Sequence, residues 1–373
     1  MQYFTGAHLL LTTQCNLRCP YCYIHKQDKV MSKSMIRAVI DHLVVSAQKL
    51  NRPNIRLTMF GGEPTLYPEL CEYALLYAVN QCKKYKLKLN YRFITNGMCF
   101  DESVQKFFYL WKTIMHDNID VMLSLDGMPE IQRINRIPAA DADFDSGTMM
   151  EENLKKMRKW CSDNDLNFHR TFRAHSMITK KTLPHLYDTY LYFTEAGMRN
   201  FPQLVVEEPW TEDDIQIYEQ QMSKIFTYVK TKNPKLFKTQ MFGYGGPQKG
   251  FTEFKSPFHC GHPHQVRAVT PDGDVYTCHR AVYNFDNCII GHFDENGTYT
   301  FNEENLKNYL AVQPCEKCEE CQSPSCRVCR NYYVDGTNYG ELRVNIDVYC
   351  KLIEIEKKYS LMAQDYLKEH NML

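Results

Sequence analysis

The chain has no excess of either charge. Its 44 Lys and Arg residues are matched by 44 Asp and Glu over 373 residues. A surface built to attract polyanions is therefore not expected, and neither nucleic acid nor an anionic membrane is an anticipated partner. No apolar run approaches the ~18 residues of a membrane-spanning helix. The opening Met1-Gln2-Tyr3-Phe4 has no basic n-region and no small-residue cleavage site, so no secretory signal is expected and the cytoplasm is the expected location. What the chain has in quantity is cysteine, at 16 residues. Thiols in that number without export point to metal thiolates rather than disulfides, in a reducing or anaerobic setting.

Over the first 210 or so residues, short apolar runs alternate with amphipathic stretches. Leu9–Thr13 reads as a first strand, followed by a helix over about 33–48 with Ile36, Val39, Ile40, Leu43 and Val44 on one face. Further strands are expected at Ile55–Phe60, Leu87–Ile94, Ile119–Ser124, Leu166–Arg173 and Gln203–Glu207. Helices are expected over about 67–85, 101–115, 146–163 and 183–196, with a polar connection at 127–145. Six βα units in a row predict a parallel α/β architecture with right-handed crossovers, whose site gathers at the C-terminal ends of the strands. Residues 211–259 change in character: a helix over about 211–231, then a Lys-, Asn- and Gly-rich bridge. From 260 to 350 the chain is punctuated by cysteine, with a hairpin turn at Asp272-Gly273. A terminal helix over 351–373 places Leu352, Ile355, Tyr359, Met362 and Tyr366 at helical spacing for packing.

Cys15, Cys19 and Cys22 form a C-x3-C-x2-C triplet just past the first strand. Thiolates suit iron–sulfur clusters and zinc. Structural zinc wants four ligands, and the nearby fourth would be His25. Three thiols instead leave one iron of a cubane open. This triplet resembles that of the radical SAM superfamily. The resemblance implies a partial (β/α)6 TIM-like barrel, a [4Fe-4S] cluster and S-adenosylmethionine chelated to the open iron. Reductive cleavage would yield a 5′-deoxyadenosyl radical, with the protein supplying orientation and exclusion. Tyr21, before Cys22, matches the same pattern and would pack near the cluster and adenine.

Further motifs extend the resemblance. Gly61-Gly62-Glu63-Pro64 matches a G-G-E-P element in which the glycines admit close backbone approach and Glu63 receives the SAM ammonium. Ser124-Leu125-Asp126-Gly127 resembles an S-x-D-G segment, with Ser124 toward the ribose or carboxylate of SAM and Asp126 there or capping a turn. Arg133 or Arg136 would clamp the carboxylate as a fork donor. Asn96, in Thr95-Asn96-Gly97, and Arg173, read as ending the fifth strand, would line the same mouth.

Cys260, Gly273 and Cys278 fit C-x12-G-x4-C, followed by Cys315, Cys318, Cys321, Cys326, Cys329 and Cys350. This resembles the SPASM extension, although the common C-x2-C-x5-C-x3-C-x17-C is met here by gaps of two, four and two. The resemblance implies two auxiliary [4Fe-4S] clusters, three clusters in all. Cys260, Cys278 and Cys329 would hold the inner one, with Cys315, Cys288 or an open position as the fourth ligand. Cys318, Cys321, Cys326 and Cys350 would hold the outer one. Zinc is the alternative metal, because paired C-x2-C knuckles suit either.

The functional expectation is an oxidative radical SAM peptide maturase that crosslinks or cyclises a ribosomally made peptide. An auxiliary cluster would take the electron, and Glu207, Glu208 or His279 the proton. Flavodoxin or ferredoxin would donate electrons. The triplet begins at residue 15, so any leader peptide would bind a separate recognition protein or the bridge and C-terminal surfaces. Sulfatase-maturing relatives place Asp where this chain has His279, so formylglycine formation stands as an alternative. A dehydrogenase or epimerase on a small molecule or single side chain, and a noncatalytic Fe–S carrier, are the others.

Overall fold

The structure is a computed structural model that describes residues 2–116, 118–238, 264–311 and 345–372. Strand β1 (Gly6–Thr12) is followed by α1 (Lys33–Lys49), β2 (Asn54–Gly61), α2 (Pro68–Tyr85), β3 (Lys88–Thr95), α3 (Glu102–Ile114) and β4 (Val121–Leu123). Next come α4 (Pro129–Asn135), α5 (Ser146–Asp163), the single turn α6 (Phe168–Thr171), β5 (Phe172–Ile178), α7 (Leu186–Glu195), β6 (Asn200–Leu204) and α8 (Glu212–Lys232). The last described elements are β7 (Val266–Val269), β8 (Asp274–Tyr276), β9 (Ile289–Phe293), β10 (Tyr299–Phe301), α9 (Glu303–Ala311) and α10 (Ile346–Glu369). The strand–helix alternation expected of a partial (β/α)6 barrel is present, followed by a C-terminal region with helices of its own.

The described residues fall into two compact units. One gathers the chain up to Ser124, residues Ile137–Arg173 and the described C-terminal residues up to Ala311; the rest form the other. In the first unit the strand order is β10-β9-β8-β7-β1-β2-β3-β4. Strands β1 to β4 are parallel, with Gly6 opposite Arg56, Leu57 opposite Tyr91 and Phe93 opposite Val121. From the segment past 260, β7 joins the free side of β1 in parallel, pairing Gly6 with Val266 and Leu9 with Val269. The antiparallel meander β7-β8-β9-β10 then extends the sheet. Its first turn is the expected one at Asp272-Gly273, where Gly273 takes φ +93°.

The apolar patterning explains the packing. Ile36, Val39, Ile40, Leu43 and Val44 of α1 are all buried, as their spacing predicts. Between β3, α3 and α5 lies an aromatic core of Phe93, Phe107, Phe108, Trp111 and Trp160, with neighbouring rings 5.5–6.3 Å apart. Side-chain caps at Ser32, Asp101 and Asp145 satisfy the first turns of α1, α3 and α5.

In the second unit β5 and β6 pair in parallel, Ala174 with Asn200 through Ile178 with Leu204. Helices α8 and α10 pack through Phe226 and Tyr359, and Tyr218 donates to Glu356 at 2.8 Å. Of the residues expected to pack the terminal helix, Leu352, Ile355 and Tyr359 are buried, whereas Met362 is exposed. The helix starts five residues before the expected boundary, so Cys350 lies inside it.

Two strand expectations are displaced. The fifth strand begins at Phe172 because Asn167 caps a helical turn, accepting from the Arg170 N–H at 3.2 Å. The alternation that defines the strand is Phe172, Ala174, Ser176 and Ile178, all buried. The sixth ends at Leu204, three residues before Glu207. The connection expected over 127–145 also contains α4, started by Pro129 in the first turn, where a missing N–H costs nothing.

Candidate functional site

Cys15, Cys19 and Cys22 lie on the loop that leaves β1. Both ends of this loop are tied. On the outgoing side, the Thr12 and Thr13 hydroxyls donate to the carbonyls of Lys29 (2.9 Å) and Gln27 (2.8 Å). Midway, the Arg18 N–H donates to the Ile137 carbonyl at 2.7 Å, and the Ala139 N–H to the Asn16 carbonyl at 2.9 Å. Leu17 is buried and anchors the loop. The Cys22 N–H donates to the Cys19 carbonyl at 3.0 Å, closing a tight turn between two of the thiols.

Each thiol has a local environment of its own. Cys15 Sγ accepts from the Leu17 N–H at 3.4 Å and from Asn96 Nδ2 at 3.7 Å. Burial pushes its pKa up to about 11, against the opposing pull of Lys26. Cys22 is exposed and accepts from Lys26 Nζ at 3.1 Å. Among the described residues, no three His, Cys, Asp or Glu side chains converge on one point. The donor set nevertheless fits an iron–sulfur cluster: three soft thiols on one loop, one of them beside a fixed cation. Cluster binding would replace these contacts with iron–sulfur bonds and release the thiol protons.

The Gly-Gly-Glu segment packs directly on this loop. The Gly62 N–H donates to the Thr12 carbonyl at 2.7 Å, and the Glu63 N–H to the Gln14 carbonyl at 2.8 Å. A Cβ at Gly62 would lie 1.9 Å from the Gln14 oxygen, and one at Gly61 2.3 Å from the Thr12 oxygen. Only glycine admits this approach. Glu63 itself is fully buried. Its Oε1 accepts from the Thr65 N–H (3.0 Å), the Thr65 hydroxyl (2.6 Å) and the Thr95 hydroxyl (2.6 Å). Its Oε2 accepts from the Asn96 N–H at 2.7 Å. Burial raises the Glu63 pKa and these four donors pull it down. The carboxylate thus joins the ends of β2 and β3, and Oε2 retains acceptor capacity for an ammonium.

Asn96 is buried beside it. Its Nδ2 reaches Asn16 Oδ1 at 2.8 Å as well as Cys15 Sγ, and its Oδ1 accepts from the Met98 N–H at 2.9 Å. Ser124 follows β4, with its N–H on the Thr95 carbonyl at 2.8 Å. The ends of β1 through β4 therefore bring Cys15, Gly61, Gly62, Glu63, Asn96 and Ser124 together. Tyr21 is half-buried on the same loop. Thr65 and Thr95, the donors to Glu63, were not singled out from sequence. Their hydroxyls follow Glu63 by two residues and precede Asn96 by one, which is the signal that could have found them.

Arg173 stands at the start of β5, not its end, and pairs with Asp120. Asp120 precedes β4 whereas Ser124 follows it, so Arg173 is at the opposite ends of the strands from the cysteine loop. In the second unit, Arg136 forks onto Asp126, Nε to Oδ2 at 2.9 Å and Nη2 to Oδ1 at 2.8 Å. The pair is buried, and Asp126 also accepts from the Met177 N–H at 2.9 Å. Arg133 is exposed on α4. Glu207 is half-buried past β6, and burial raises the pKa of its neighbour Glu208.

Of the second cysteine field, Cys260, Cys315, Cys318, Cys321, Cys326 and Cys329 lie outside the described residues. Cys278 and Cys288 are buried in the first unit, where the Thr277 N–H donates to the Cys288 carbonyl at 2.9 Å. Cys350 belongs to the second unit. The His279 ring lies 4.6 Å from His8, 5.4 Å from Phe60 and 6.0 Å from Tyr23. The residue after Cys278 is therefore an imidazole in an aromatic wall that includes the cysteine loop. Among the described residues, no helix is long and apolar enough to cross a membrane.

Comparison with known proteins agrees with this geometry. Residues 9–159 match the Radical SAM superfamily. The chain is 24% identical over 369 residues to a cysteine-type anaerobic sulfatase-maturating enzyme of Clostridium perfringens, with 90% of each chain covered. It is 22% identical to a tungsten-containing aldehyde ferredoxin oxidoreductase cofactor-modifying protein of Pyrococcus furiosus, covering 83% of this chain and 81% of that one. Among solved structures, native anSMEcpe with bound AdoMet superposes with a TM-score of 0.69 at 20% identity, over 97% of this chain and 98% of that one. Streptococcus suis SuiB bound to precursor peptide SuiA reaches 0.54 at 12% identity, over 90% and 73%. Residues 9–159, from β1 into α5, thus match a radical SAM domain, and the fold of the whole chain is like that of anSMEcpe and SuiB.

Proposed function

We propose that the chain is a radical SAM oxidoreductase that oxidises a side chain of a peptide or protein, in the manner of the sulfatase-maturating relatives. The observation that carries this reading is the near end-to-end likeness to those enzymes, 90% of both sequences and 97–98% of both structures. It reverses the order expected from sequence, which set a crosslinking maturase ahead of formylglycine formation because His279 stands where an Asp was anticipated. The SuiB likeness, to a protein bound to a precursor peptide, supports a peptide substrate on a smaller share of that chain.

When bound, SAM and its cluster supply hydrogen-atom abstraction, and an auxiliary cluster supplies an acceptor for the second electron. Cys15, Cys19 and Cys22 would hold the first cluster. Glu63 Oε2, oriented by Thr65, Thr95 and Asn96, would receive the SAM ammonium. Gly61 and Gly62 keep the β2 end tight against the loop, and Cys278 would serve an auxiliary cluster. The buried setting of Glu63 and Asn96 keeps water from the amine contact.

The test uses the anaerobically reconstituted full chain with SAM, dithionite and a sulfatase-type peptide carrying Cys or Ser. The expected result is Cys19-dependent 5′-deoxyadenosine and a peptide carbonyl trapped by hydrazine, both lost in Cys19→Ala. Loss of two hydrogens from the peptide without a carbonyl would move the reading to crosslinking. An iron-loaded chain that binds SAM yet cleaves none, with peptide present, would overturn it.

A further inference from the structure

We infer that Asn284 is a positioning residue for the SAM-cluster loop, tying that loop to the segment that bears Cys278 and Cys288. Asn284 lies between these two cysteines and far from the triplet in sequence. Its Nδ2 donates to the Tyr23 carbonyl at 2.8 Å, one residue past Cys22. Its Oδ1 meets His25 Nε2 at 3.0 Å. The second Nδ2 hydrogen returns to the Val282 carbonyl at 2.8 Å, which fixes the amide plane. One side chain thus holds the exit of the cysteine loop by a backbone group and a side chain at once.

The segment is shaped for this grip. Tyr283, directly before Asn284, takes φ +59°, a left-handed conformation that a tyrosine adopts only when its surroundings impose it. Its hydroxyl donates to Asp272 at 2.9 Å, and Asp272 in turn pairs with Lys29 at 2.7 Å. The left-handed residue turns the chain so that Tyr283 reaches Asp272 while Asn284 faces the loop. Thr12 and Thr13 tie the two ends of the loop to each other, and Asn284 adds a hold at Tyr23 and His25 on its exit arm. All these residues belong to the first unit. The arrangement makes the radical-generating loop depend on a segment whose ends are metal-ligand candidates, so order in one is passed to the other.

This inference rests on the radical SAM reading of the triplet, but its primary readout does not. Amide hydrogen exchange over residues 22–29 is measured on the reconstituted full chain, with SAM binding followed by the EPR signal of the reduced cluster. In Asn284→Asp the contact to His25 is kept and the amide donors are lost, at unchanged volume. Exchange at 22–29 is expected to rise by about tenfold, the factor that one to two net hydrogen bonds represent. The SAM concentration for half-saturation rises several-fold, while 5′-deoxyadenosine formation at saturating SAM stays within about twofold. Asn284→Ala should do the same more strongly. Asp272→Asn, which removes an exposed ion pair, should change exchange little. Unchanged exchange at 22–29 in Asn284→Asp, or a rise spread evenly over the chain, would overturn the inference. Loop exchange that responds as expected in a chain that cleaves no SAM would overturn only the functional reading.

Discussion

Alanine at position 62 would carry a methyl group 1.9 Å from the Gln14 carbonyl oxygen, 2.6 Å from the Gln14 carbonyl carbon and 2.9 Å from that of Thr13. Real Cβ atoms essentially never come within 3.0 Å of such neighbours. The obstruction is backbone, so no rotamer relieves it, and the Gln14 peptide must withdraw by roughly 1 Å. That movement pulls on the Gly62–Thr12 and Glu63–Gln14 hydrogen bonds, now 2.7 and 2.8 Å. Overpacking together with two weakened bonds costs about 3 kcal/mol. Gly97 provides the contrast. It has φ +73°, but its nearest neighbours would be side-chain atoms at 3.5 and 3.7 Å. Gly97→Ala therefore costs only the left-handed strain of about 1 kcal/mol. Urea unfolding of the two apo variants measures the difference. Because Gln14 precedes Cys15, Gly62→Ala should also lower iron retained on the triplet, read in a background with the C-terminal cysteines replaced. A Gly62→Ala chain no less stable than Gly97→Ala, with full iron loading, would refute the close packing of the two segments.

His42 of α1 gives a pH prediction. Burial pushes its pKa down to about 4, helped by the nearby Arg267 guanidinium; Phe4, Phe293 and Tyr299 supply ring faces around it. Its folded pKa lies below its unfolded value of 6.5, so the unfolded chain binds more protons between them and stability falls as pH drops from 6.5 toward 4. The loss reaches about 3 kcal/mol, and His42→Phe should remove that part of the acid limb in denaturant titrations at pH 7, 5.5 and 4.5. In the second unit, Arg136→Met leaves Asp126 buried without its cation and should cost about 3–5 kcal/mol by urea unfolding. Adding Asp126→Leu should restore part of it; a double variant weaker than Arg136→Met would contradict the pairing.

The candidate site could be read from sequence because its residues lie in short, local motifs. The triplet, Gly61-Gly62-Glu63 and Thr95-Asn96-Gly97 each follow an apolar strand, and parallel topology brings strand ends together whatever the strand order. The α1 stripe was legible for the same local reason, a 3.6-residue period. The register of β5 was not. A capped turn at Asn167 and a period-two pattern starting at Phe172 compete over the same residues, and packing of Phe172, Ala174, Ser176 and Ile178 decided it. That shift alone carried Arg173 to the wrong end of its strand.

By itself the sequence determined the chemistry available: three spaced thiols, glycines where a backbone must approach, and a carboxylate after them. Tertiary structure decided which groups those residues meet. Glu63 is saturated on one oxygen by threonines 2 and 32 residues away, Arg136 forks onto Asp126, and β7 closes onto β1 across more than 250 residues. Asn284 reaches Tyr23 over a separation of 261. Hydrogen bonds and strand pairings of that range depend on distances in space, which spacing along a chain does not encode.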